Sequence, residues 1–170
     1  MKEINVADLR DNVFETIGKE WMLVSAGTKE KCNMMTASWG CLGWLWNKPV
    51  AVVFIRPERY THEFIETNDT LVLSFLGHGE EAKKIYTVCG SKSGRDLDKV
   101  AATGLQPVLT AEGNVAFAQS RLTLECRKLY KDTINPEGFL DAGIAKWYGG
   151  ANGGYHDVYV VEIEHAYAGE

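Results

Sequence analysis

Strand-like runs in this chain do not alternate with long helices, which argues against a doubly wound parallel sheet. The apolar runs are short and are cut by glycine, proline or asparagine. Residues 21–26 form the first, ended by Gly27 and Thr28, and residues 33–39 form the second, so the two predict a hairpin. Gly40, Gly43, Asn47 and Pro49 break the next stretch. Residues 50–55 are β-branched and apolar, and both they and residues 70–75 read as buried strands. Residues 115–118 and 121–127 follow, and in the latter Leu122, Leu124 and Cys126 alternate with Thr123 and Glu125, a period of two. Residues 155–167 make the last strand, where Glu162 and Glu164 give one wet face. Three short helices fit between: 61–67 capped by Thr61, 80–88 stopping at Gly90, and 93–102 capped by Ser93 and closed by Gly104. Residues 5–17 are ambiguous, and residues 135–154 are glycine-rich and irregular. Six or seven strands with a few short helices predict an antiparallel barrel with helices packed on its side.

A chain of 170 residues suits a single domain, here spanning residues 1–170. Such a domain buries roughly 70% of the surface its unfolded chain exposes, so it needs no disulfide or structural metal. The net charge of −5 argues against non-specific nucleic-acid binding, which wants a positive surface. Residues 1–14 mix Lys, Glu, Asp and Arg without an apolar core, so no secretory signal is expected. No run of 18 apolar residues occurs, so no membrane-spanning helix is expected either. These features predict a cytoplasmic protein with Cys32, Cys41, Cys89 and Cys126 reduced. The four histidines show no metal-ligand spacing.

Three stretches hold residues able to carry chemistry. The strand Asn33-Met34-Met35-Thr36-Ala37-Ser38-Trp39-Gly40 puts three hydrogen-bonding side chains among apolar neighbours. Either it is an edge strand with its polar residues in water, or its polar atoms meet a heteroaromatic ligand with Trp39 beside it. The stretch from Phe54 to His62 joins a strand to a helix start, where free N–H groups and Arg56 and Arg59 suit an anion. The stretch from Cys89 to Lys99 places Gly, Ser and Lys near another helix start, though it is no Walker A loop. Taken singly, the second stretch reads first as an ordinary strand-to-helix turn with solvated arginines, and the third is also consistent with a capped helix that has a charged, solvated face.

In order and spacing the three together resemble the flavin reductase-like family. The family pattern N-x-M-T-x-S-W-G is met by Asn33, Met35, Thr36, Ser38, Trp39 and Gly40. Lys48-Pro49-Val50, Arg56-Pro57, Arg59-Tyr60-Thr61 and the run from Ser93 to Lys99 follow in register. The match covers roughly the first two-thirds of the chain. It implies a six-stranded Greek-key split β-barrel, homodimeric, holding FMN near the subunit interface. It implies that Asn33 to Trp39 lie beside the isoalloxazine, with backbone groups of Thr36, Ala37, Ser38 and Trp39 on its polar edge. Arg56, Tyr60 and Thr61 are then expected at the ribityl chain and phosphate, with Ser93 and Lys99 completing the anionic end. The implied activity is an FMN-dependent oxidoreductase drawing electrons from NAD(P)H or a redox protein; the alternatives are an FMN electron carrier and a flavin-binding module without turnover. Cys41 stands where similar sequences often have Gly, and is expected to pack as a small hydrophobe. Trp147, Tyr148 and Tyr155 are consistent with covering the flavin or with ordinary packing.

Overall fold

The computed structural model describes residues 1–169. In chain order the strands are β1 (Lys2–Ile4), β2 (Met22–Gly27), β3 (Cys32–Ala37), β4 (Gly40–Leu45), β5 (Lys48–Ile55), β6 (Thr70–Phe75), β7 (Pro107–Leu109), β8 (Val115–Phe117), β9 (Leu122–Thr133) and β10 (Asp157–Ala168). The helices are α1 (Val13–Glu15), which runs into a π-turn at Thr16–Glu20, then α2 (Tyr60–Thr67), α3 (Glu80–Ser91) and α4 (Lys99–Thr103). Eight strands form one sheet in the order β3-β2-β6-β9-β10-β5-β4, with β1 added on β10, while β7 and β8 pair as a separate ribbon. Every pairing is antiparallel.

The mainly-β, antiparallel expectation holds, but the sheet has eight strands in place of the expected six. The physical reasons are local. In β4 two glycines read as breakers, yet the reversal comes later, at Trp46 and Asn47. Both have positive φ, 52° and 58°, the backbone of a tight two-residue hairpin turn. β1 and β7 are three residues each, too short for a period to declare itself.

β3 and β4 lie at opposite ends of the sheet, yet only Ser38 and Trp39 separate them in sequence. Three Cα steps span at most about 11 Å. The sheet must therefore curl until its two edges nearly meet. Gly40 permits this closeness: a Cβ there would lie 3.0 Å from the Val52 carbonyl oxygen and 3.1 Å from the Met22 methyl. Among the described residues no ladder joins β3 to β4, so the barrel stays split at this seam.

β2 is buried on both faces, which explains its unbroken apolar run. Met22, Val24 and Ala26 point into the barrel with Val53, Ile55, Leu73, Leu124 and Val161. Leu23 points outward against α3, whose Ala82, Ile85, Tyr86 and Cys89 form an i, i+3, i+4, i+7 stripe. Each such fully buried large side chain contributes about 1.5–3 kcal/mol, so α3 is firmly docked over β2 and β3. It runs past its predicted stop because Gly90 faces Thr36 closely: a Cβ there would sit 3.3 Å from the Thr36 Cβ. The following helix starts later than predicted. Asp98, not Ser93, caps α4 by accepting from the Ala101 N–H at 3.1 Å, and Gly104 closes it at φ 69° as expected.

Candidate functional site

Among the described residues β3 pairs only with β2, so its other edge carries no strand. The buried Lys99 ammonium lies on that edge and donates to the Met34 carbonyl at 2.8 Å. Met34 therefore turns its backbone polar groups outward, and by the two-residue repeat so does Thr36. At the end of the strand, residues Met35 to Trp39 form one wall of a cleft of about 200 Å³. Phe54, Arg56, Arg59 and His156 form the others. Nearer the start of β3, Asn33, Tyr60, Gly94, Arg95 and Lys99 border a second, more polar hollow of about 590 Å³.

The side chains of the polar strand are mostly engaged within the protein. Asn33 is buried and donates through Nδ2 to the Thr61 hydroxyl at 2.8 Å. Thr61 is also buried and does not cap α2; Arg59 occupies that N-cap position, without a side-chain capping bond. Thr36 donates through Oγ1 to the Tyr86 carbonyl at 2.6 Å, tying β3 to α3. Ser93 accepts from the Arg95 N–H at 3.1 Å and shapes the turn ahead of α4. Tyr60 stacks edge-on with Phe64 and carries the Arg95 guanidinium 4.7 Å from its ring centre.

Two cations converge on the end of α3. Lys99 Nζ donates to the Cys89 carbonyl at 3.0 Å, and Arg59 Nη2 donates to the same oxygen at 3.2 Å. Neither has a carboxylate within ion-pair distance among the described residues. Burial pushes the Lys99 amine down to about 8 and lowers the Arg59 guanidinium as well. The same burial raises the Cys89 thiol to about 11, so that cysteine stays protonated at neutral pH.

Arg56 reaches the cleft but is not free. Its Nη2 donates to the Trp147 carbonyl at 2.9 Å and its Nη1 to the Gly154 carbonyl, so the guanidinium holds the glycine-rich segment. Trp39 is half-exposed, with ring centres 5.5 Å from Trp147 and 5.3 Å from His156. His156 meets the Tyr148 hydroxyl at Nδ1, 3.2 Å away. Burial, and then the neighbouring Arg56, push His156 down to about 4, so it is neutral at pH 7. The cleft thus has aromatic and uncharged walls on one side and cations on the other.

The flavin reductase like domain family matches residues 14–170. The chain belongs to that family. Among solved structures, a flavoredoxin from Methanosarcina acetivorans is 24% identical with a TM-score of 0.67, the match covering 98% of this chain and 77% of that one. An FMN-binding protein from Thermus thermophilus, crystallised with 1-cyclohex-2-enone, is 21% identical with a TM-score of 0.65, covering 99% and 80%. An NADH:FAD oxidoreductase from Streptomyces globisporus is 17% identical with a TM-score of 0.63, covering 88% and 75%. At these identities the structures show a common fold. No curated protein matches.

For a flavin reductase-like protein the ligand class is a flavin, and the residues present suit one. A flat ring wants aromatic and backbone walls, and Thr36 to Trp39 with Phe54 and His156 supply them. An anionic tail wants cations and N–H donors, and Arg59, Lys99 and the uncapped start of α2 supply those. The structure brings Asn33, Tyr60 and Lys99 to the polar end of β3, and Thr36, Ala37, Ser38, Trp39 and Arg56 to the aromatic end, while Ser93 lies outside both hollows with its hydroxyl on the Arg95 N–H. Thr61 stands behind Asn33, with its hydroxyl already taken as an acceptor. Sequence reasoning placed Phe54 in the second stretch without a role and left His156 out of the site. The pairing of Asp157 with Ile55 sets His156 beside Arg56, and only the three-dimensional register reveals it. Cys41 is exposed on β4 and does not pack as a small hydrophobe. No described helix is long and apolar enough to cross a membrane.

Proposed function

We propose that this chain binds FMN along the free edge of β3 and passes electrons from a nicotinamide donor through it to an acceptor. The observation that carries this is the pair of cations, Arg59 and Lys99, without carboxylate partners among the described residues, beside an aromatic cleft on one strand edge. A buried lysine and a half-buried arginine that share only carbonyl partners leave a positive site that an anion would complete. Arg59, Lys99 and the first-turn N–H groups of α2 would hold the phosphate, with Tyr60 and Ser93 near the ribityl chain. Outward backbone groups of Thr36 and Ser38 would meet the polar edge of the ring, with Ala37 and Trp39 along its side. The bound flavin supplies the redox chemistry; the protein binds, orients and tunes it. Neutral His156 keeps the ring wall uncharged, so the positive charge near the cleft comes from the arginines.

Likeness to flavoredoxins favours a second reading, an FMN electron carrier that docks to redox proteins. Two measurements separate these. Purified protein that keeps a flavin absorbance band through gel filtration supports the cofactor, and riboflavin binding as tight as FMN removes the phosphate assignment. Rapid NADH or NADPH oxidation in the presence of free flavin supports the reductase, and slow oxidation of both supports the carrier.

The protein is also proposed to be a homodimer. The half-exposed or exposed Trp44, Leu45 and Trp46 adjoin an apolar groove lined by Ile4, Val6, Leu42 and Ile163. A largely apolar exposed surface of this kind, here rimmed by Glu3, Asp11 and Glu164, is normally covered by a partner. Light scattering that returned 18.9 kDa would refute the dimer.

A further inference from the structure

The segment between β9 and β10 is a strap, fastened to the cleft by side chains and not by the sheet. It holds three 3₁₀ turns, Pro136–Gly138, Ala142–Trp147 and Gly150–Asn152, and no strand. Gly149, Gly150 and Gly153 have φ of 83°, 55° and 82°, a left-handed backbone that resists replacement by other residues. Its fastenings are few. Arg56 holds the Trp147 and Gly154 carbonyls and lies over the Tyr148 ring, Glu58 accepts from the Gly154 N–H, and the Tyr148 hydroxyl meets His156 Nδ1. Leu140 is fully exposed, and the Trp147 ring is half-exposed.

The strap meets the cleft through two aromatic pairs. Trp147 stands edge-on to Trp39, at 84° and 5.5 Å between ring centres. Tyr148 stands edge-on to His156, at 79° and 5.5 Å. Trp39 and His156 are themselves cleft walls. The strap therefore abuts two of the cleft walls, while Trp147 and Tyr148 themselves lie outside its lining. Loops that join a rigid frame through few contacts are those that gate sites.

We infer that this strap is the size filter of the flavin site, and that Trp147 decides which donors and acceptors reach it. The inference rests on the flavin site proposed above. Small planar molecules pass the Trp39–Trp147 pair, and the bulk of a protein surface does not. Glu58 is a positioning residue: it fixes Gly154 and so the strap's exit, without touching the cleft.

The test uses the FMN-loaded chain, the Trp147→Ala variant and the Glu58→Gln variant. Three quantities are measured: the FMN dissociation constant, acrylamide quenching of bound-flavin fluorescence, and reoxidation of the photoreduced protein. Reoxidation is followed with hexacyanoferrate(III) and with ferric cytochrome c, each iron taking one electron and two irons reoxidising one flavin. With the filter opened, Trp147→Ala reacts with cytochrome c roughly tenfold faster and is quenched more strongly. Its hexacyanoferrate rate and FMN affinity stay within about twofold of the unaltered chain. Glu58→Gln moves in the same direction by a smaller amount. If both variants bind FMN and their quenching and rate ratio do not change, the filter is overturned and the flavin site stands. If the unaltered chain binds no FMN, the flavin site is overturned and the filter with it.

Discussion

Gly94→Ala tests the packing that joins the three motif stretches. A Cβ built on Gly94 would lie 2.0 Å from Asn33 Oδ1, 2.9 Å from Asn33 Cγ and 3.1 Å from Tyr60 Cδ1. No side chain tolerates the first of these distances, so Asn33 must rotate. Asn33 is buried, and its Nδ2 bond to Thr61 is the only side-chain bond that ties β3 to the start of α2 among the described residues. Rotation leaves a buried amide and hydroxyl unpaired, which costs about 1–3 kcal/mol. Overpacking adds about 1–3 kcal/mol, but both effects act through Asn33 and do not sum fully. A loss of about 2–4 kcal/mol follows, or a fall in Tm of roughly 4–16 °C for a chain of this size. Urea unfolding measures it, with Asn33→Ala and the double variant completing a cycle. In the Asn33→Ala background the obstacle is gone, so Gly94→Ala should cost much less there. Equal costs in both backgrounds would refute the reasoning, as would a cost in the wild-type background below about 0.5 kcal/mol.

Three further outcomes follow from the same geometry. Lys99 carries its proton in both folded and unfolded chains below about 8, and between about 8 and its ordinary 10.5 only the unfolded chain keeps it. The stability of wild type relative to Lys99→Met should therefore rise with pH across that window, and urea unfolding at both ends that showed a flat or falling difference would contradict it. Thr36→Val removes the bond to the Tyr86 carbonyl and should cost about 0.5–1.5 kcal/mol in chemical denaturation. Trp39→Ala should raise the FMN dissociation constant roughly 2- to 13-fold, and Trp21→Ala, whose ring leans on Tyr86, should raise it less; equal effects on folded proteins would remove Trp39 from the flavin wall.

Much of the sheet was legible because its strands obey a simple rule. β6 and β9 alternate or run apolar between clear breakers, and their positions were readable within a residue or two at their starts. β9 runs on to Thr133, past the predicted end, because its second half carries Lys and Asp on an exposed face. The breaker rule failed at Gly40, Gly43 and Gly90, where glycine serves close packing or simply lies within a strand or helix. A glycine beside a crowded neighbour and a glycine in a turn look alike in one dimension. The fate of Arg56 was equally hidden: its partners are backbone carbonyls 91 and 98 residues away, in a segment with no period at all.

The polar strand poses the sharper question, because its side chains were legible as polar but not as to purpose. Asn33 bonds Thr61 beneath Gly94, Thr36 bonds the carbonyl of Tyr86 beside Gly90, and Lys99 bonds Met34 and Cys89. Each of these links ties β3 to a different element: α2, α3 and the start of α4. The side chains of the motif thus build the frame around the strand edge, neither facing water nor all facing a ligand. What they leave over is the backbone of Thr36 and Ser38, the ring of Trp39, and two cations that lack carboxylate partners among the described residues. A site made chiefly of backbone and held charge tolerates wide change elsewhere in the chain, provided the three ties hold β3 in place. That accounts physically for a family pattern that reads clearly here while solved structures of the same fold share 24% identity or less in the cases above.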